Sequence, residues 1–96
     1  MPMKLISNKM LREFAALHPF AEQPLQDFRR LIEHGSYASF AQLKATFASV
    51  DKVGERYVFN IGGNKYRLIA AIAFQVGLVW VKAVLTHEQY DKGEWK

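Results

Sequence analysis

The feature that most narrows the fold of this chain is the stretch 55–86, where three strand-length apolar segments are separated only by glycine-led turns. In 55–61, Tyr57, Phe59 and Ile61 fall on one face of a strand, and Arg56, Val58 and Asn60 on the other. Gly62-Gly63-Asn64 follows, three residues that tolerate the positive φ of a tight hairpin. In 65–75, Tyr66, Leu68, Ala70, Ile72 and Phe74 alternate with Lys65, Arg67, Ile69, Ala71 and Ala73, and Gly77 marks the next turn. In 78–86, Val79, Val81, Ala83 and Leu85 alternate with Trp80, Lys82 and Val84. The pattern predicts an antiparallel meander. Helices are expected over its bulkier face, leaving the other as a concave floor from which Arg67 and Lys82 rise.

The helices come from the first half of the chain. Residues 3–7 form a short run suited to an edge strand. Ser7 or Asn8 supplies an N-cap for a helix to Leu17, with Met10, Phe14 and Leu17 as its apolar stripe. His18-Pro19 ends it, because the residue before proline is pushed out of the α region. A second helix is predicted from Ala21 to His34, with Pro24 in its first turn and Leu25, Phe28, Leu31 and Ile32 facing inward. Ser39 and Gln42 have capping-box spacing for a third helix to Phe47, with Phe40, Leu43 and Phe47 as its core residues. Residues 48–54 read as a polar connection, and 87–96 as a turn or one short helical segment. The class is α+β, and 96 residues suit one domain over 1–96.

Composition excludes several activities. There is no cysteine, hence no disulfide framework and no thiol catalysis, which suits a reducing cytoplasm. The first residues lack the apolar run of a signal peptide, and no segment approaches the ~20 apolar residues of a membrane span. His18, His34 and His87 show no metal-ligand spacing, so neither a metal nor another cofactor is expected. The glycine pair lacks phosphate-loop spacing and joins two strands. The net charge of +4 is compatible with a polyanionic partner.

Two local groups carry chemistry. Arg67 interrupts an apolar run, and a guanidinium on a sheet face must be paired or reach solvent. One reading is an edge cation bridging to Asp or Glu. The other is a fork that grips a phosphate and stabilises charge developing there. Just past the last strand, His87, Tyr90 and Lys92 lie within six residues, and one helical turn places His87 and Tyr90 on one face. Histidine serves as acid or base near neutral pH, tyrosine can stack on a base or donate a proton, and lysine can neutralise a phosphate.

Taken together, YVFNIGGNKYRLIA and AVLTHEQYDKGEW, with LKATF and DKVG upstream, resemble the HigB toxins of bacterial type II toxin–antitoxin pairs from about Leu5 to Trp95. The pairing of N-I-G-G-N-x-x-R with T-H-x-x-Y-D carries the resemblance. It implies a RelE/ParE-like fold, with N-terminal helices packed on a twisted antiparallel sheet and a short C-terminal helical segment. It implies an mRNA interferase that cuts ribosome-bound message without metal and is neutralised by a HigA-type helix-turn-helix antitoxin. It places Arg67 on the scissile phosphate and His87 and Tyr90 as acid/base or stacking residues, with Lys65, Lys82, Lys92 and Asn64 as RNA or phosphate contacts. Two rivals differ in kind. A ParE-like inhibitor would bind DNA gyrase without catalysis, which gives an acid/base pair at the C-terminus no purpose. A non-catalytic RNA-binding module would need an aromatic sheet stripe flanked by basic residues, which this sequence lacks.

Overall fold

The computed structural model describes residues 3–93 and Trp95. The elements run β1 (Lys4–Ile6), α1 (Asn8–Leu17), a 3-10 turn (Pro19–Ala21), α2 (Glu22–His34), α3 (Phe40–Thr46), β2 (Asp51–Val53), β3 (Arg56–Ile61), β4 (Tyr66–Ala73), β5 (Leu78–Thr86) and α4 (His87–Asp91). The strands form one sheet in the order β1-β5-β4-β3-β2. The class is α+β, with helices over one face, as the sequence and its RelE-like resemblance led one to expect.

That face is closed by Leu11, Phe14, Leu25, Phe28, Ile32 and Leu43 from the helices against Tyr57, Phe59, Leu68, Ala70, Val79 and Val81 from the sheet. Phe28 and Phe47 meet Phe59 edge-on, with centroids 4.8 and 5.1 Å apart, the geometry that ring quadrupoles favour. Burial of each such large side chain contributes about 1.5–3 kcal/mol. The β3–β4 turn works as its glycines suggest: Gly62 and Gly63 have φ of 63° and 68°, a region L side chains rarely adopt.

Several expectations are corrected. The sheet is mixed rather than purely antiparallel, because β1 pairs with β5 in parallel, Leu5 opposite Val79. All the elements from α1 to β4 lie between β1 and β5, well beyond the crossover of about a dozen residues that a parallel pair requires. Residues 51–53, expected within a polar connection, form β2, which turns back on β3 through a two-residue loop opening on Gly54 at φ 61°. Within β5 the alternation does not continue unbroken. An irregularity opposite Ile69 and Ala70 makes Ala83 the partner of Ile69 and Val81 the partner of Ala70, leaving Lys82 as the extra residue. Val79 and Val81 therefore face the helices, but beyond the bulge Val84 does so instead, and Ala83 and Leu85 turn to the face that carries Arg67.

Helix details differ as well. Ser7 precedes α1 in a left-handed conformation, φ 80°, and its side chain makes no cap, since capping needs a β-region backbone. The α1 stripe buries Leu11 and Phe14, with Met10 partly buried against the core as expected. Leu17 is exposed, and the His18 ring stacks on Phe14 at 4.4 Å where a further turn would have packed. Leu31 lies at the rim of the helical layer rather than inside it. Ser39 does cap α3, its hydroxyl accepting from the Gln42 N–H at 3.3 Å, while the Gln42 side chain takes the N–H of Ala38 rather than that of Ser39.

Candidate active site

The site forms where the β3–β4 turn meets the end of β5. Arg67 is the second residue of β4, on the face away from the helical core, opposite Leu85 of β5. Tyr66 pairs with Thr86 as the last step of the β4–β5 ladder, and the His87 N–H extends it by donating to the Lys65 carbonyl at 3.0 Å. No linker separates strand from helix. Thr86 starts α4 with a complete capping box: its hydroxyl accepts from Gln89 N–H at 3.2 Å and its own N–H donates to Gln89 Oε1 at 3.0 Å. His87, Tyr90 and Asp91 thus leave the sheet on one side of a pinned helical turn.

Arg67 is 7% exposed and is the one buried charged residue among those described. Its Nη1 donates to the carbonyls of Asn64 at 3.2 Å and Tyr66 at 3.1 Å. Its Nη2 donates to Asn64 Oδ1 at 2.6 Å and meets His87 Nδ1 at 3.0 Å. The Tyr90 ring lies beside the guanidinium, 5.4 Å from its carbon to the centroid. Four acceptors meet the four Nη hydrogens, and every acceptor is neutral. Among the described residues no Asp or Glu forms an ion pair with Arg67. The edge-cation reading is therefore not what the geometry shows. The positive charge is held in place with no described carboxylate paired to it, which suits an anion that arrives from outside.

Around His87 the contacts fix a tautomer. A guanidinium only donates, so Nδ1 must accept, and the ring proton sits on Nε2, 3.1 Å from Asp91 Oδ2. Tyr90 is held from behind: Trp95 stacks on it at 5.1 Å with an interplanar angle of 12°, and the indole N–H donates to the Tyr90 carbonyl at 3.1 Å. Asp91 and Trp95 were missed in the sequence. The signal for Asp91 was present as H-x-x-x-D, an i,i+4 pair on a helix. That for Trp95 was no more than a terminal aromatic.

Of the residues singled out from sequence, Arg67, His87, Tyr90 and Asn64 come together. Asn64 acts here as the bracket of Arg67. Lys65 contributes its backbone, while its ammonium lies over the exposed Phe20 ring, 6.0 Å from the centroid. Lys92 is exposed at the end of α4. Lys82, exposed at the bulge, sits level with Ile69 and Ala70, away from Leu85, which is the cross-strand neighbour of Arg67. His18 belongs to the Phe14 stack and His34 to the last turn of α2. Among the described residues no three His, Asp or Glu side chains converge as metal ligands, and no helix is long and apolar enough to cross a membrane.

Comparison with known proteins adds a lineage to this geometry. A family profile described as the HigB toxin, a RelE-like toxic component of a toxin–antitoxin system, matches residues 21–93. The mRNA interferase toxin HigB of Escherichia coli K12 is 34% identical over 92 residues, covering 93% of this chain and 88% of its own. The mRNA interferase HigB of Shigella flexneri aligns to the same extent. That of Escherichia coli O6:H1 is 30% identical over 93 residues, covering 94% and 90%.

Proposed function

Given that the chain belongs to the HigB toxin family, the RelE-like toxic components of toxin–antitoxin systems, we propose that it is an mRNA interferase that cuts message presented by the ribosome in the cytoplasm. One observation carries the chemistry: the buried Arg67 charge, bonded only to neutral acceptors, one of which is His87. A scissile phosphate supplies the missing negative charge.

Each residue then has a task. A phosphate oxygen takes the Nη2 hydrogen now bonded to His87 Nδ1, and the freed lone pair faces the reacting ribose. Nδ1 accepts the 2′-hydroxyl proton as the 2′ oxygen forms its bond to phosphorus. The bond from phosphorus to the 5′ oxygen breaks, and the Tyr90 hydroxyl returns a proton to that leaving oxygen. The products are a 2′,3′-cyclic phosphate and a 5′-hydroxyl, with no water consumed. Arg67 offsets the charge on the pentacoordinate phosphorus, and the base contributes typically about 10²–10⁴-fold. Metal has no step to perform in this scheme. Asn64 holds the fork in register, and Lys65 and Lys92 offer cations to flanking phosphates. Lys82 lies furthest from this centre along β5 and takes an outer phosphate. A ribosome that presents the substrate relieves the protein of any need for more than +4.

The partner we propose is a HigA-type helix-turn-helix antitoxin. An acidic or amphipathic segment of it would cover the half-buried apolar sheet face around Trp80 and Leu85 together with the cations near Arg67.

The experiment is brief induction in bacterial cells followed by mapping of new mRNA 5′ ends and of plasmid supercoiling. New ends inside translated frames, suppressed when the neighbouring antitoxin frame is co-expressed, support the reading. Growth arrest with intact message and altered supercoiling would instead identify a gyrase inhibitor.

A further inference from the structure

We infer that Asp91 is a positioning residue for His87: it keeps the ring proton on Nε2 when Arg67 has moved its donor to the substrate. The inference deepens the nuclease reading and rests on it for its catalytic half. In the free protein two contacts fix the tautomer, Arg67 Nη2 on Nδ1 at 3.0 Å and Asp91 Oδ2 on Nε2 at 3.1 Å. A phosphate that meets the Nη2 edge of the fork displaces His87, because one hydrogen cannot serve both groups and the other three Nη hydrogens are taken by Asn64 and the Tyr66 carbonyl. Once that hydrogen passes to phosphate, Asp91 alone remains on the ring.

The consequence concerns which nitrogen can act. With Nε2–H bonded to Asp91, the lone pair stays on Nδ1, the nitrogen beside the guanidinium and hence beside the phosphate. A ring released from Asp91 is free to place its proton on Nδ1 or to rotate, and either change removes the base from the reaction. When Nδ1 does take the 2′-hydroxyl proton, the ring becomes a cation that the Asp91 carboxylate faces directly. The backbone supports this arrangement. His87 and Asp91 lie one turn apart on α4, whose start is pinned by the Thr86–Gln89 box and by the His87 N–H bond to Lys65. The pair is 46% and 60% exposed, so it adds little to folding, and variants at Asp91 are expected to remain folded.

Two measurements test it. Long-range proton–nitrogen NMR of the free protein reads the tautomer without any need for activity. Wild-type and Arg67→Ala proteins should both show a protonated Nε2 and an unprotonated Nδ1. The Arg67→Ala/Asp91→Ala pair should move toward the exchange-averaged signals of an unheld imidazole, and an unchanged pattern in that pair overturns the assignment. In single-turnover cleavage of ribosome-bound message, Asp91→Ala should slow the bond-breaking step roughly tenfold to a hundredfold, a part of what a general base supplies. Affinity for the message should not change. Asp91→Asn, whose side-chain oxygen can still accept from Nε2–H but which brings no charge to the imidazolium, should recover only part of the loss. Cleavage by Asp91→Ala at the wild-type rate overturns the catalytic half. If the wild-type chain cuts nothing while the NMR pattern holds, the nuclease reading fails and the hold of Asp91 on His87 stands.

Discussion

Arg67 and Leu68 are neighbours on β4 and nearly equally hidden, at 7% and 0% exposure, yet they are buried for opposite reasons. Leu68 faces the helices, where any well-fitting apolar neighbour would do. Arg67 faces the other side, where four named acceptors and one aromatic ring hold a charge that pairs with no carboxylate among the described residues. Two adjacent residues of one strand therefore serve two faces, one packed for stability and one that carries the proposed site. Stability arises from non-directional burial that tolerates exchange; reactivity arises from directed bonds that do not.

Substitutions that act on only one face sharpen this contrast. The largest effect on rate is expected from His87→Gln, which keeps a polar side chain but removes the proposed base. Cleavage of ribosome-bound message should fall about 10²–10⁴-fold while the melting curve barely moves, since the ring is half exposed. Leu68→Ala should do the reverse. Urea denaturation should show a loss of about 2–5 kcal/mol, with cleavage per folded molecule unaltered. A rate loss as large as that of His87→Gln would mean that the faces are not independent.

The two helix caps give a finer comparison. Ser39→Ala on α3 and Thr86→Ala on α4 each remove a hydroxyl that accepts a backbone N–H. Each should cost about 0.5–2 kcal/mol, read as a shift in the urea midpoint. Thr86→Ala should also reduce cleavage several-fold, because α4 carries His87 and Tyr90, whereas Ser39→Ala should not. Equal effects on rate would break the comparison.

How far the sequence reveals this depends on whether the information is local. The β5 bounds, the Gly62-Gly63 turn, the Ser39 cap on α3 and the short C-terminal helix all follow from patterns within a few residues. Arg67 stands out because a charge inside an apolar run must be paired or reach solvent, although the sequence left an edge cation bridging to Asp or Glu as one reading. The faces of β5 were not readable past Lys82. A bulge depends on how β4 and β5 pack, and a one-residue slip exchanges the faces of every later side chain. The parallel pairing of β1 and the pairing of the polar β2 are likewise set by distant partners. The acceptors that surround Arg67 come from the path of the turn, so a sequence shows the charge and not its unanswered state. Asp91 was the nearest miss, four residues from His87 on a helix already expected.

The central claim is that the uncompensated Arg67 charge exists for an arriving phosphate. Cleavage of ribosome-bound message by Arg67→Ala, measured beside its melting temperature, tests it most directly. The account predicts a fall of about 10²–10³-fold with a smaller drop in melting temperature than Leu68→Ala suffers. Cleavage within tenfold of the unaltered protein, in a variant shown to be folded, would contradict it and reduce Arg67 to a structural cation.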